Sequence, residues 1–174
     1  NRQMLSLMPA FGIDARHLQL PASLPQGPAT DMDDAARLMA HVPRDQVLLV
    51  DSLGYSCLSS SLIQTIAAPV VALVHHPLSA ELGLAGDAAR SCDETERMAL
   101  SLAKAIVVSS PYTAAQLVRD FSVPADKLAV AVPGKAAAKR AVGSGGKACV
   151  QLLCVGSLIA RKGYEFLLEA LAEL

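Results

Sequence analysis

The sequence predicts an α/β protein: a doubly wound parallel sheet with helices on both faces, then a break, then the start of a second α/β unit. Three observations predict it. Short runs of consecutive apolar residues at 47–50, 70–75, 105–108 and 128–132 read as strands buried on both faces. Single stretches of helical period separate these runs, as in a parallel sheet covered on both sides. From 133 to 147 the composition turns to Gly, Pro, Ala, Ser and Lys, including Gly134, Gly143, Gly145 and Gly146, which is how a linker reads.

Each element has a local reason. Residues 2–11 place Met4, Met8 and Phe11 on one helical face, and Gly12 stops that helix. Residues 13–20 alternate and read as a strand; 21–30 form a proline-rich loop. Residues 31–41 return to helical period, with Met32, Ala35, Ala36, Met39 and Val42 inward and Thr30 or Asp31 as cap. A strand at 47–50 ends at Asp51, a helix over 58–68 is closed by Pro69, and a strand over 70–75 ends in His75. A loop through Gly83 and Gly86 leads to a helix over 93–104, followed at once by the strand 105–108. Ser110 and Pro111 read as N-cap and first residue of a helix to Asp120. After the linker, residues 150–155 read as a strand, 156–163 as a basic turn, and 164–174 as a helix burying Phe166, Leu167, Ala170, Leu171 and Leu174. One βα unit cannot bury its own faces, so a second domain is expected to start here and be cut off. In such folds a strand and a phosphate-facing loop precede the first helix, so both are expected upstream of Asn1.

Composition excludes several functions. Of 174 residues 52% are apolar and 18% charged, which excludes disorder, and a net charge of -1 gives no pull on nucleic acid or an anionic membrane. With 3% aromatic residues and no Trp, a base-stacking platform is not expected. Cys57, Cys92, Cys149 and Cys154 show no CxxC spacing and read as buried thiols in a reducing compartment, so a cytoplasmic setting is expected. No uninterrupted apolar run is long enough to span a bilayer; peripheral contact with a membrane's inner face stays open.

The chemistry is concentrated in the turn from Val155 to Gly163, which contains Gly156, Ser157, Arg161 and Lys162 and joins a predicted strand to a predicted helix. Free backbone N–H groups and the positive end of the helix dipole collect anions there. Two cations in the helix's first turn oppose the dipole unless something negative binds, which points to a phosphate. The solvated Arg-Lys pair is the simpler alternative. His75 and His76, adjacent on an extended segment, point to opposite faces and cannot chelate together, so no metal site is read. Asp31, Asp33 and Asp34 read as helix-start acids and not as a metal-binding DxD motif. Ser109 and Ser110 lack a GxSxG elbow, and Gly143 to Lys147 lacks both the first Gly and the Ser/Thr of a Walker loop.

The segments Val132-Pro133-Gly134, Leu152-Leu153-Cys154-Val155-Gly156-Ser157-Leu158, Arg161-Lys162-Gly163 and Leu167-Leu168-Glu169-Ala170-Leu171 resemble the domain junction of glycosyltransferase family 4, the group 1 retaining enzymes of the GT-B fold. Ala72-Leu73-Val74-His75 and Ala105-Ile106-Val107-Val108-Ser109-Ser110 are similar to that family's acceptor-side elements, and Asn1-Arg2-Gln3-Met4-Leu5 to the helix after its Gly-rich loop. The resemblance implies an acceptor-side Rossmann-like domain over 1–132, a linker over 133–148 and the first βα unit of a nucleotide-sugar-binding domain over 149–174. It implies transfer of a hexose from a nucleoside diphosphate sugar, with retention, to a glycan, lipid-linked or small-molecule acceptor, with no metal and no further cofactor. Lys162 would contact the donor diphosphate, with Arg161, Gly156 and Ser157 beside it. Ser157 stands where many members carry Arg. His75 would lie near the transferred sugar, and Asp51 and Ser109 are acceptor-side candidates.

The later two-glutamate helix of the family is absent from the sequence, so these residues alone are expected to be inactive. Two alternatives remain: a non-catalytic nucleotide-sugar-binding scaffold, to which Ser157 points, and a dinucleotide-dependent oxidoreductase. The latter calls for an acid after the second strand, where Pro21 stands.

Overall fold

In a computed structural model, which describes residues 2–141, 143–145 and 150–173, the apolar runs become four strands: β1 (Leu48–Asp51), β2 (Val70–Val74), β3 (Ala105–Val108) and β4 (Leu128–Val130). All pair in parallel, in the order β1-β2-β3-β4. Eight α-helices accompany them among the described residues: α1 (Arg2–Leu7), α2 (Ala29–Ala40), α3 (Ser52–Tyr55), α4 (Ser60–Ile63), α5 (Leu78–Leu82), α6 (Gly86–Leu102), α7 (Pro111–Phe121) and α8 (Tyr164–Ala172). The chain divides into two compact units, residues 1–133 and 134–174. Unit 1 is an α/β layer structure with an all-parallel sheet, compatible with a Rossmann-like fold. None of the described helices is long and apolar enough to cross a membrane.

The described part of the sheet has one face more deeply buried than the other. Strand order runs 1-2-3-4 without reversal, and right-handed crossovers in one direction put successive connecting helices on one face. Burial agrees. Leu48, Val50, Val70, Ala72, Val74, Ile106 and Val108 point into one core, shared with Ala35 and Met39 of α2, Ala99 and Leu100 of α6 and Leu117 of α7. Their neighbours on the opposite face, Val71, Leu73, Ala105 and Val107, are half-buried, and Leu49 is exposed. Strands apolar on both faces therefore have one covered face among the described residues.

Local chemistry explains the helix ends. Ser110 is the N-cap of α7, its Oγ accepting from Thr113 N at 3.1 Å, with Pro111 as first residue. Asp51 and Ser59 cap α3 and α4 in the same way. The helix expected over 58–68 is instead the short α4 followed by a turn, and α3 lies before that stretch. α2 starts at Ala29 with Pro28 as N-cap, so neither Thr30 nor Asp31 caps it; Asp31 lies in the first turn and accepts from Ser23 Oγ. α6 begins at Gly86, seven residues before the expected start at Asp93.

Two predicted strands do not form. Residues 13–20 are irregular, with Leu20 packed against the core, and residues 150–155 are irregular and exposed. Leu152, Leu153 and Val155 are 69%, 90% and 84% accessible, and on α8 Phe166 and Leu168 are exposed too. A lone strand has unpaired N–H and C=O groups on both edges, so an apolar run becomes a strand where a neighbour supplies the ladder. Cys154 is exposed, not buried, while Cys57 and Cys92 are half-buried and all three are free. Cys149, Gly146, Lys147, Asn1 and Leu174 lie outside the described residues.

One-sided burial makes adjacent residues of β3 unequal. Ile106→Ala, at a fully buried position, is expected to lower the unfolding free energy by about 2–5 kcal/mol, and Val107→Ala by about 1. Urea unfolding of both variants checks this; equal losses would mean that the second face is also packed.

Candidate functional site

Parallel strands all end at one edge of a sheet, and ligands of open α/β sheets bind outside those carboxyl ends. The register pairs Asp51 with Leu73 and Val74 with Val108, so β1, β2 and β3 finish nearly in step. Asp51, His75 and Ser109 stand at their ends.

The three residues meet. His75 Nε2 lies 3.8 Å from Asp51 Oδ2, an electrostatic contact beyond hydrogen-bond reach, with the two side chains 47% and 32% accessible. Asp51 divides its oxygens: Oδ1 accepts from Leu53 N at 3.0 Å and so caps α3, leaving Oδ2 to face the imidazole. Ser109 ties the backbone. Its Oγ donates to the His75 carbonyl at 3.3 Å and its N–H to the Val74 carbonyl at 3.4 Å. Thr113 Oγ1 donates to the same His75 carbonyl at 3.0 Å. The His75 backbone is thus held from β3 and α7 while its ring remains half-exposed beside a carboxylate. Such a ring can exchange a proton with, or hydrogen-bond, a hydroxyl placed above the edge.

The backing of this edge was not singled out from the sequence. Glu96 of α6 is fully buried, and its Oε2 accepts from Leu78 N at 2.7 Å, at the start of α5, two residues after His76. Its Oε1 and Ser56 Oγ, both buried, have no hydrogen-bond partner among the described residues, although the Ser56 hydroxyl is near enough to lower the Glu96 pKa. Burial outweighs both neighbours and raises that pKa from 4.5 to about 7, with Asp93 adding repulsion. One sequence signal was present: Glu96 lies three and four residues before Ala99 and Leu100, on the buried stripe of α6.

The second group of predicted residues lies in unit 2. Ala160–Lys162 form a 3-10 turn, and Gly163, at φ 60°, ends that turn and is the N-cap of α8. Arg161 and Lys162 therefore precede α8 and do not lie in its first turn, where Glu165 stands instead. The left-handed backbone at Gly163 suits glycine, and a Cβ there would also come within 3.1 Å of the Phe166 ring. Gly156 is similarly confined, since a Cβ would meet the Tyr164 hydroxyl at 2.5 Å. Ser157 is exposed, its carbonyl accepting from Ile159 N. Lys162 is exposed and makes no ion pair or hydrogen bond through its side chain with a described residue. The Arg161 side chain lies outside what the structure describes.

Two cavities in unit 1 lie away from the His75 edge. One, of about 490 Å³, opens beside Val70 and Lys104 at the amino ends of β2 and β3; the other, of about 610 Å³, lies between α6 and residues 121–127. Among the described residues no group of three or more His, Cys, Asp or Glu is placed to hold a metal ion. The chain matches no protein-family model, and no curated protein matches it.

The buried Glu96 gives stability a pH dependence of definite sign. The folded carboxyl holds its proton up to about pH 7, whereas the unfolded one releases it near 4.5. The contribution is whole below the lower value and is lost as pH rises through that window, by about 3 kcal/mol in all. Urea unfolding from pH 4 to 8 checks it. Glu96→Gln, shaped like the neutral acid, is expected to flatten the curve and to equal or exceed the parent protein at pH 8.

Proposed function

We propose that the protein is a retaining glycosyltransferase of GT-B architecture that moves a hexose from a nucleoside diphosphate sugar to a hydroxyl acceptor. The observation that carries this reading is the meeting of His75 and Asp51 at the carboxyl edge of the parallel sheet, with the His75 carbonyl held by Ser109 and Thr113. Open ground above a strand edge suits a sugar hydroxyl, which needs a donor-acceptor partner more than an apolar pocket. The resemblance of the junction segments to family 4 supplies the reaction class.

The residues proposed in each unit have their own task. His75, with Asp51 beside it, orients the transferred sugar or the acceptor hydroxyl. Lys162 serves the diphosphate. As the glycosidic bond breaks, the leaving group gains charge, so a fixed cation there stabilises the transition state more than the ground state. The exposed Lys162, with no ion pair among the described residues and beside a helix start, supports that role. Ser157 and the first-turn Glu165 weaken the anion site and favour a second reading, a protein that binds nucleotide sugars without transferring them. The proposed setting is the cytoplasm, with peripheral membrane contact where the acceptor is lipid-linked.

Calorimetric titration with UDP and GDP tests the diphosphate half, using the natural polypeptide that carries these residues. Lys162→Ala is expected to weaken binding about tenfold or more, the loss of one charge-assisted contact, while His75→Ala changes it less than about twofold. Unchanged binding in Lys162→Ala would remove the diphosphate assignment. NAD binding would replace the transferase reading with a dehydrogenase one.

A further inference from the structure

Glu96 has more to do than fill space. Its carboxyl group is fully buried with no cation against it among the described residues: Arg97, next in sequence, turns away, donating to the Asp120 carbonyl and lying over the Phe121 ring. A buried carboxyl is normally excluded from an apolar interior unless it is paired or neutral. Here one oxygen holds the Leu78 amide, and the other, with the equally buried Ser56 hydroxyl, has no partner.

The location matters. α5 has Pro77 as N-cap, and Pro77 offers no side-chain cap, so the α6 carboxylates hold this helix instead: Glu96 takes the Leu78 amide and Asp93 takes the Ser79 hydroxyl. The segment they hold is continuous with His75, His76 and Pro77. Ser56 is the C-cap of α3, whose N-cap is Asp51. Glu96 therefore stands behind both turns that carry the His75–Asp51 contact.

We propose that Glu96 is a positioning residue for the His75 segment and acts as a protonation latch, closed as the neutral acid and loosened as the carboxylate. In the closed form Oε2 accepts from Leu78 N–H while the proton on Oε1 points to Ser56 Oγ, so both orphaned atoms gain a partner. In the ionised form a charge lies buried beside Asp93 with no cation, and water relieves it when α5 lifts from α6. Around Glu96, Asp93 and Cys92 lie on its own helix, the first raising the Glu96 pKa and the second feeling the Glu96 charge, and Cys57, following Ser56, interacts with Cys92. α4, also packed on α6, brings no titratable residue. The inference is independent of the transferase reading, since it concerns the backbone behind His75 and not what His75 binds.

NMR on the isotope-labelled protein tests it, following the Glu96 carboxyl carbon and the amides of α5 from about pH 5 to about pH 9. The carboxyl carbon and the Leu78 amide are expected to titrate together near pH 7, with protection of Leu78 from hydrogen exchange falling about tenfold across the transition. Asp93→Asn is expected to move the midpoint down. Glu96→Gln keeps Leu78 protected and abolishes the inflection; Glu96→Ala leaves Leu78 unprotected throughout. A Glu96 carbon that stays ionised across the range, or a Leu78 inflection that persists in Glu96→Gln, overturns the proposal. If the variants do not fold, the two titrations in the parent protein decide it.

Discussion

Parallel pairing is the constraint from which the site follows. Because every strand of the sheet runs the same way, residues far apart in sequence that end β1, β2 and β3 are delivered to one edge. The register then sets their height, with Asp51 level with Leu73 and Val74 level with Val108. Side chains refine what the backbone has brought together: Ser109 and Thr113 both spend their hydroxyl protons on the His75 carbonyl, and Asp51 uses one oxygen to start α3 and presents the other to the imidazole. Ser109 is thereby a tie for the backbone.

Two carboxylates behind the same edge illustrate how environment divides roles. Asp51 is partly solvated and bonded to a backbone amide. Glu96 is cut off from water, and burial raises its pKa toward neutrality. Water is thus the variable that separates a group able to meet a polar ligand from one that organises the backbone behind it. Unit 2 shows the opposite extreme. Its apolar side chains on α8 and over 150–155 are exposed, and its basic turn sits before the helix start instead of within it.

Much of unit 1 was legible in the sequence because β-branched runs and capping residues are local signals. The strands around 48–51, 70–74 and 105–108 stand out as solid apolar runs, and Ser110-Pro111 marks the start of α7. What the sequence could not carry depended on partners. Residues 13–20 and 150–155 have strand composition but no strand beside them, and Val71 or Val107 is as apolar as Val70 or Ile106 without being covered. Asp51, His75 and Ser109 could be named as strand-end residues one at a time. Their meeting required the register, and the hydroxyl of Thr113 and the carboxyl of Glu96 reach the edge from helices that give no sign of it beyond a polar residue on a buried face.

The stereochemistry of transfer is the most direct test of the account as a whole. The natural polypeptide that carries these residues would be given a panel of nucleoside diphosphate hexoses with hydroxyl acceptors, and the anomeric proton of the first-formed product followed by NMR. The account predicts release of a nucleoside diphosphate and a product with the donor's anomeric configuration. An inverted product, or binding of every donor without release of any diphosphate, would contradict it.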